Sequence, residues 1–259
     1  MILRLKVEVF GVQERRDLLA ADRVIFALDV GNTDEAKELV EELRGTINFF
    51  KVGLQLHIAT GLEVVRWLVE QNLKVFLDMK MEDVPETIKR SVAEVARLGV
   101  KFLTINGNGV TADAAKEGSA GSGLKILSLT LLTSLNEQDL RDLFLVHPDG
   151  RFKTLEEYVL WRSKVALDHK CDGLITCGTR ASILRKHFGW KPILVSPGIR
   201  GADDPSYDQK RVSSPYQAIA NGADYLVVGR PIKNSSNRVA KARQIIDEID
   251  SALRQPTPV

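Results

Sequence analysis

The sequence predicts a single-domain (β/α)8 TIM barrel of the α/β class, and three observations support that prediction. Eight short runs rich in β-branched and aromatic residues recur along the chain, and a segment with the apolar spacing of a helix follows most of them. No low-complexity stretch or linker divides the chain. Its length of 259 residues is also close to the about 250 residues that such a barrel occupies as one unit.

The predicted strands are short and mostly apolar, as expected for a parallel sheet that is covered on both faces. Because eight of them alternate with helices, closure into a barrel is favoured over an open sheet. In chain order the strands are 24–29 (VIFALD), 46–52 (TINFFKV), 73–79 (LKVFLDM), 101–106 (KFLTIN), 124–130 (LKILSLT), 172–176 (DGLIT), 191–196 (KPILVS) and 224–229 (DYLVVG).

Amphipathic stretches predict the helices between these strands, and several begin with residues that start helices. Pro85 suits a first helical turn, Ser214 before Pro215 is an N-cap signal, and Thr33 is a weaker cap. The predicted helices are 33–44, 55–71, 86–98, 155–169, 180–187, 215–221 and 237–253.

Composition excludes several classes of function. The formal charge is +2, from 36 basic and 34 acidic residues. The chain therefore lacks the surplus of basic residues typical of proteins that bind nucleic acid, and no nucleic-acid partner is expected. The N-terminal segment lacks the unbroken apolar run of a signal peptide, and no membrane partner is expected. Cys171 and Cys177 form neither a disulfide framework nor a set of metal ligands. We therefore expect a cytoplasmic enzyme.

Two parts of the chain lie outside the regular alternation of strands and helices. Residues 1–22 are interpreted as an N-terminal extension that packs across the bottom of the barrel, and residues 23–255 as the barrel catalytic domain. The longest irregular connections, 131–154 and 197–213, both follow predicted strands. They are expected at the C-terminal face, where barrel active sites are built.

Charged residues cluster where the apolar strands end. Asp29 ends the first predicted strand, Lys51 the second and Asp78 the third, with Lys80 and Asp83 following. Since residues two apart on a strand face the same side, Asp78 and Lys80 are expected to project together toward the barrel mouth. A single charge at a strand end is as easily a solvated surface charge as a functional one. Alternating charges in a partly dry pocket are costly, so the group as a whole indicates catalysis.

A phosphate site is predicted at the ends of the last two strands, which is where this fold usually holds phosphate. Gly198 and Gly229 allow backbone N–H groups to approach an anion, and Arg230 can present two N–H groups to it. Arg200 and Arg211 are interpreted as structural.

The charged motif resembles the signature of the orotidine 5'-phosphate decarboxylase family, in which Asp-x-Lys-x-x-Asp precedes Ile/Val-Pro. Here the residues are Asp78, Lys80 and Asp83, followed by Val84 and Pro85. The resemblance covers most of residues 24–245, and further matches occur in family order: Ala27-Leu28-Asp29, Phe50-Lys51-Val52-Gly53, Leu132-Thr133-Ser134, Ser196-Pro197-Gly198-Ile199-Arg200, Asp208-Gln209-x-Arg211 and Val227-Val228-Gly229-Arg230-Pro231.

The resemblance implies the decarboxylation of orotidine 5'-phosphate to uridine 5'-phosphate, a step of pyrimidine synthesis, without cofactor or metal. Lys80 would deliver a proton to C6, Asp78 would lie beside the departing carboxylate, and Lys51 would complete the charge array. The substrate would also be bound by Asp29 (ribose), Ser134 and Pro197 (base), and Gln209, Gly229 and Arg230 (phosphate). Asp83 and Thr87 would complete the site of a partner subunit in a homodimer.

One position departs from the family pattern. Many relatives carry a histidine at the end of the fourth strand, where this chain has Asn106. Because no proton transfer is assigned to that position, the change bears on the shape of the pocket more than on the reaction.

Two other functions remain open from the residues. One is a metal-dependent sugar-phosphate decarboxylase or aldolase of the same barrel superfamily, in which a divalent cation would hold an enediolate. Such a cation would need a further carboxylate at a strand end. The other is a non-catalytic barrel that binds a nucleotide, which the fold alone does not exclude.

Overall fold

A computed structural model describes residues 13, 15, 17–143, 145, 152, 154–201, 204 and 211–255. Eight parallel strands form a closed barrel in chain order, which confirms the predicted fold class. Each strand pairs with the next, and the first pairs with the last. The strands are β1 (Val24–Ala27), β2 (Phe49–Gly53), β3 (Lys74–Met81), β4 (Phe102–Ile105), β5 (Lys125–Leu129), β6 (Gly173–Ile175), β7 (Ile193–Ser196) and β8 (Tyr225–Val228).

The helices surround the barrel, as the alternating pattern predicts. They are α1 (Thr33–Leu43), α2 (Leu54–Thr60), α3 (Glu63–Glu70), α4 (Pro85–Arg97), α5 (Gly109–Gly118), α6 (Glu137–Asp142), α7 (Leu155–Asp168), α8 (Ala181–Phe188), α9 (Pro215–Ala220), α10 (Arg230–Lys233) and α11 (Arg238–Leu253). Two short 3-10 turns lie at Ala20–Arg23 and Gly178–Arg180. In the part of the chain that the structure describes, no helix is both long and apolar enough to cross a membrane.

Helix starts agree with the sequence at two of the three predicted caps. Pro85 occupies the first turn of α4, and Ser214 caps α9 in a reciprocal pair with Gln217. The prediction for α1 was wrong by one residue, because the side chain of Asn32, rather than Thr33, accepts the backbone N–H of Glu35. Asparagine is among the strongest N-cap residues, so local capping preference explains this start.

Four helical segments differ from the prediction, and one of them is the short helix α10, which was not predicted after β8. The single helix expected at 55–71 is two helices, α2 and α3, because Gly61 adopts a left-handed φ of 60° that ends the first. Helix α5 follows β4, although the sequence analysis placed no helix there. Helix α6 lies inside the connection interpreted as irregular, where Asn136 and Asp139 form a capping box.

The inside of the barrel is filled by alternate residues of the strands. An aromatic layer near the bottom contains Phe49, Phe102 and Tyr225, with ring centroids 5.2 to 5.9 Å apart. Above it lies a buried apolar layer that includes Ala27, Leu129, Ile175, Val195 and Val227. Because side chains alternate along a strand, the next inward positions toward the carboxyl ends open into the barrel mouth.

A buried charge network lies at the other end of the barrel. Arg185 Nη2 lies 2.7 Å from Asp224 Oδ2 and Arg15 Nε lies 3.7 Å from Asp224 Oδ1. The Arg23 guanidinium donates to the carbonyl oxygens of Asp224 and Arg15. Leu18 packs against the core inside the barrel. These contacts support our proposal that the N-terminal extension packs across the bottom of the barrel for its described residues 13, 15 and 17–22; residues 1–12, 14 and 16 lie outside the described residues.

Candidate active site

Three charged residues occupy inward positions at the carboxyl ends of neighbouring strands. Asp29 lies two residues beyond Ala27, Lys51 two beyond Phe49, and Asp78 two beyond Phe76; these three apolar residues belong to the core inside the barrel. The alternation of strand side chains therefore brings together residues that are far apart in the sequence. The positions of these charges follow from the register of β1, β2 and β3.

Positive and negative groups alternate across the mouth. Lys51 Nζ lies 3.1 Å from Asp29 Oδ1 and 3.7 Å from Asp78 Oδ2, and Lys80 Nζ lies 2.8 Å from Asp78 Oδ1. Lys51 is buried, with 8 % of its surface exposed. A Cβ atom at Gly53 would lie 2.8 Å from Lys51 Nζ, so a glycine leaves the room that this ammonium needs. We call Asp29, Lys51, Asp78 and Lys80 the charge array.

Lys80 reaches the array through an unusual backbone conformation. Its φ is 49°, in the left-handed region that L-residues seldom adopt, and the register between β3 and β4 shifts between Leu77 and Met81. The backbone N–H of Lys80 donates to Thr104 Oγ1 at 2.9 Å, and Thr104 Oγ1 donates to Asp78 Oδ1 at 2.8 Å. Strained conformations of this kind concentrate at functional sites.

Asp78 remains ionised because its neighbours outweigh its burial. Burial by itself would raise the pKa of Asp78, since it penalises the charged form. The ammonium groups of Lys51 and Lys80, together with hydrogen bonds from Lys80 and Thr104, have the larger combined effect and lower the pKa of Asp78. The site therefore holds a carboxylate with two ammonium groups beside it.

Asp83 and Thr87 lie apart from the charge array in this subunit. Both residues are exposed, and Asp83 Oδ1 accepts the backbone N–H of Val84 at 2.6 Å. Within the described residues, Asp83 makes no ion pair with Lys51 or Lys80. The structure thus brings together the first two members of the Asp-x-Lys-x-x-Asp motif and places the third outside.

The residues expected to contact the base and the phosphate follow β5, β7 and β8. Ser134 is exposed after β5, and Pro197 is half-buried directly after β7. Gly229 directly follows β8, and a Cβ atom at this position would lie 3.3 Å from Ala27 Cβ. The half-buried Arg230 begins α10. Gln209 lies outside the described residues. The paired strands β7 and β8 bring Pro197 and Gly229 to the same edge of the barrel.

The two arginines interpreted as structural bind backbone carbonyl oxygens. Arg200 is buried and donates from Nη1 to Ile199 O at 2.6 Å. Arg211 Nη2 donates to Leu132 O at 2.6 Å, which ties the segment after β7 to the segment after β5.

Two polar residues at the end of β4 have contacts that the sequence analysis did not anticipate. Thr104 connects Lys80 with Asp78. The sequence feature that could have indicated this role is its hydroxyl-bearing side chain two residues beyond the inward-facing Phe102. Asn106 donates from Nδ2 to Glu82 Oε2 at 3.2 Å and accepts from Arg162 Nη2 at 3.0 Å. Asn106 therefore links the segment after β3 to α7.

No group of three or more histidine, cysteine, aspartate or glutamate side chains in the described ranges is arranged to hold a metal ion. In the array, Lys51 Nζ lies between the carboxylates of Asp29 and Asp78. An ammonium group therefore occupies the place that a cation bridging those two carboxylates would need.

Comparison with known proteins decides the family. The model of the family described as "Orotidine 5'-phosphate decarboxylase / HUMPS family" matches residues 22–245. The chain belongs to this family. A curated orotidine 5'-phosphate decarboxylase from Nitrobacter winogradskyi is 41 % identical over 91 % of this chain and 96 % of its own length. A second, from Methylococcus capsulatus, is 43 % identical over 84 % of this chain and 87 % of its own length.

A solved structure agrees with this assignment. The orotidine 5'-phosphate decarboxylase from Lactobacillus acidophilus is similar with a TM-score of 0.76 and 31 % sequence identity, over 88 % of this chain and 99 % of that one. The family expected from the sequence motifs is thus confirmed, and with it the expectation of a decarboxylase, a carbon–carbon lyase.

Proposed function

We propose that this chain converts orotidine 5'-phosphate to uridine 5'-phosphate and CO2, a step of pyrimidine synthesis, without metal or cofactor. The reaction breaks the bond between C6 and the carboxylate carbon, leaves the electron pair on C6, and adds one proton there. The resulting carbanion is poorly delocalised by the ring, so placed charge must stabilise it. The observation that carries the proposal is the alternating charge array, with separations of 3.1, 3.7 and 2.8 Å.

Lys80 is the group that acts on C6. Its ammonium stabilises the electron pair as the carboxylate departs and then donates the proton. Asp78, 2.8 Å from Lys80 Nζ, holds that ammonium in place and lies beside the substrate carboxylate. The repulsion between the two carboxylates is relieved when CO2 leaves, so the array favours the transition state over the bound substrate.

The remaining array residues bind the ribose. Asp29 accepts hydrogen bonds from sugar hydroxyl groups, and Lys51, between Asp29 and Asp78, completes the array. Ser134 hydrogen-bonds the pyrimidine ring and Pro197 lines the base site. Ser134 comes after β5 and Pro197 after β7, and both strands contribute residues to the buried apolar layer inside the barrel.

The phosphate binds at the ends of β7 and β8. The backbone at Gly229 and the guanidinium of Arg230 approach the anion, since Gly229 has no side chain to block it and Arg230 can donate two parallel hydrogen bonds. Gln209, which lies outside the described residues, is assigned to the phosphate by the family resemblance. This contact is remote from C6, so its binding energy serves to orient the reacting ring.

The active form is a homodimer in which Asp83 and Thr87 complete the site of the partner subunit. Asp83 lies outside the array of its own subunit, beside Val84, an apolar residue that is 62 % exposed. A second exposed apolar residue, Ile58, is 79 % exposed and belongs to α2. This helix follows β2, the strand that pairs with β3 in the barrel. A twofold interface over this side of the mouth would cover both apolar side chains and carry Asp83 into the neighbouring site.

Mixed dimers test this shared site. The Asp78→Asn and Asp83→Asn variants are each expected to be inactive alone. In a mixed dimer one site collects both lesions, while the other takes Asp78 from one subunit and Asp83 from the other and is intact. With random reassortment half of the dimers are mixed, so about a quarter of wild-type activity is expected when both variants are unfolded and refolded together.

The control is the same pair of variants refolded apart. Because the two Asp→Asn variants have the same mass, one of them is labelled uniformly with heavy nitrogen, and mixed dimers are then counted by native mass spectrometry. If mixed dimers form and no activity returns, Asp83 serves its own subunit and the shared-site proposal is wrong.

A spectrophotometric assay with orotidine 5'-phosphate in excess chelator tests the reaction and its metal independence together. Turnover is expected to be unchanged by the chelator, because an ammonium group occupies the place between Asp29 and Asp78. Loss of activity that a divalent cation restores would favour the metal-dependent sugar-phosphate enzyme. Tight nucleotide binding without any turnover would favour the non-catalytic barrel.

A cytoplasmic location is the last part of the proposal. Cys171 and Cys177 are both free and buried, and burial raises the pKa of the Cys171 thiol to about 12. Free thiols of this kind are usual in a reducing compartment.

A further inference from the structure

Thr104 lies at the inward position of β4, two residues beyond Phe102, and it is completely buried. Its hydroxyl oxygen is 2.9 Å from the backbone nitrogen of Lys80 and 2.8 Å from Asp78 Oδ1. The amide N–H can only donate and the carboxylate can only accept, so both partners determine the orientation of the hydroxyl. One side chain thus binds the backbone of the ammonium-bearing residue and the carboxylate that holds this ammonium.

The backbone at Lys80 needs such support. Its φ of 49° is unfavourable for a residue with a long side chain, and persists only where surrounding contacts hold it. The pairing of β3 with β4 is irregular between Leu77 and Met81, so the regular ladder does not supply the missing partner for this N–H. The hydroxyl of Thr104 accepts it instead.

We propose that Thr104 is a positioning residue for the decarboxylation, which fixes the Lys80 ammonium and the Asp78 carboxylate relative to C6 without touching the substrate. This inference rests on the roles proposed above for Lys80 and Asp78. It assigns to β4 a part in the chemistry that is otherwise carried by the ends of β1, β2 and β3.

The effect of removing the hydroxyl follows from these two contacts. Without its acceptor, the Lys80 N–H is unpaired and the left-handed backbone can relax, which moves the ammonium relative to C6. Asp78 loses one of the hydrogen bonds that favour its charged form. Since ribose and phosphate contacts lie elsewhere, kcat is expected to fall roughly ten- to hundredfold and KM to change little.

The test compares Thr104→Val, Thr104→Ser and a matched control, Thr176→Val. Valine keeps the shape of threonine without the hydroxyl, whereas serine keeps the hydroxyl. Thr176 follows β6 and is as buried as Thr104, with 1 % exposed against 0 %, but its hydroxyl has no hydrogen-bond partner among the described residues. Steady-state kinetics with orotidine 5'-phosphate and thermal unfolding are measured for each variant.

We expect low kcat with near-normal KM in Thr104→Val, kcat within about threefold of wild type in Thr104→Ser, and no change in Thr176→Val. Thr104→Val within threefold of wild-type kcat would overturn the proposal, as would an equal loss in Thr176→Val or a failure of serine to restore kcat. If Thr104→Val does not fold, Thr104→Ala and Thr104→Ser make the same comparison. A wild-type enzyme without turnover would instead contradict the proposed function.

Discussion

Replacing Lys80 with alanine is expected to remove nearly all turnover while nucleotide binding stays measurable. The ammonium of Lys80 lies 2.8 Å from Asp78 Oδ1 and is the group proposed to stabilise and protonate C6. Electrostatic stabilisation and proton donation each contribute about a hundredfold or more in other enzymes, so the loss in kcat is expected to exceed a thousandfold. The measurements are kcat from the change in absorbance and the Kd of uridine 5'-phosphate from calorimetry.

Lys74 offers a matched control on the same strand. Its Nζ lies 2.8 Å from Asp22 Oδ1, the same separation as in the Lys80 pair, but at the opposite end of β3. Lys74→Ala removes an ion pair of the same kind from an exposed position and is expected to leave kcat unchanged. A Lys80→Ala variant that keeps a tenth of wild-type kcat would contradict the role assigned to Lys80.

Replacing Arg230 with alanine is expected to lower kcat/KM for the phosphorylated substrate by on the order of a hundredfold. Arg230 directly follows Gly229 at the end of β8, where the phosphate is proposed to bind. Loss of a remote contact reduces the binding energy that orients the reacting ring. The unphosphorylated nucleoside cannot use this contact, so kcat/KM for orotidine should change little.

Arg238→Ala is the corresponding control, since Arg238 lies in the same region and its Nη1 is 2.7 Å from Glu42 Oε2. Its loss is expected to leave the preference for nucleotide over nucleoside intact. Should Arg230→Ala prefer the nucleotide as strongly as wild type does, the phosphate would be held elsewhere.

The barrel and the inner part of the site could be predicted because both depend on local patterns. Apolar runs alternating with amphipathic segments require a covered parallel sheet, and eight of them favour closure. Because side chains on a strand alternate with a period of two residues, Asp29, Lys51 and Asp78 face the inside of the barrel if the apolar residues two positions before them do. Binary pattern and strand parity are short-range properties, which is why the amino-acid order alone determined them.

Other features depend on contacts between distant segments, and only the tertiary structure decided them. The left-handed backbone at Lys80 persists because the Thr104 hydroxyl, on the neighbouring strand, accepts its N–H. Asp83 belongs to the same short motif as Asp78, yet the chain turns toward α4 and leaves it exposed. Strand register, buried hydrogen-bond partners and the path of a loop arise from packing across the barrel, and no local pattern in the sequence encodes them.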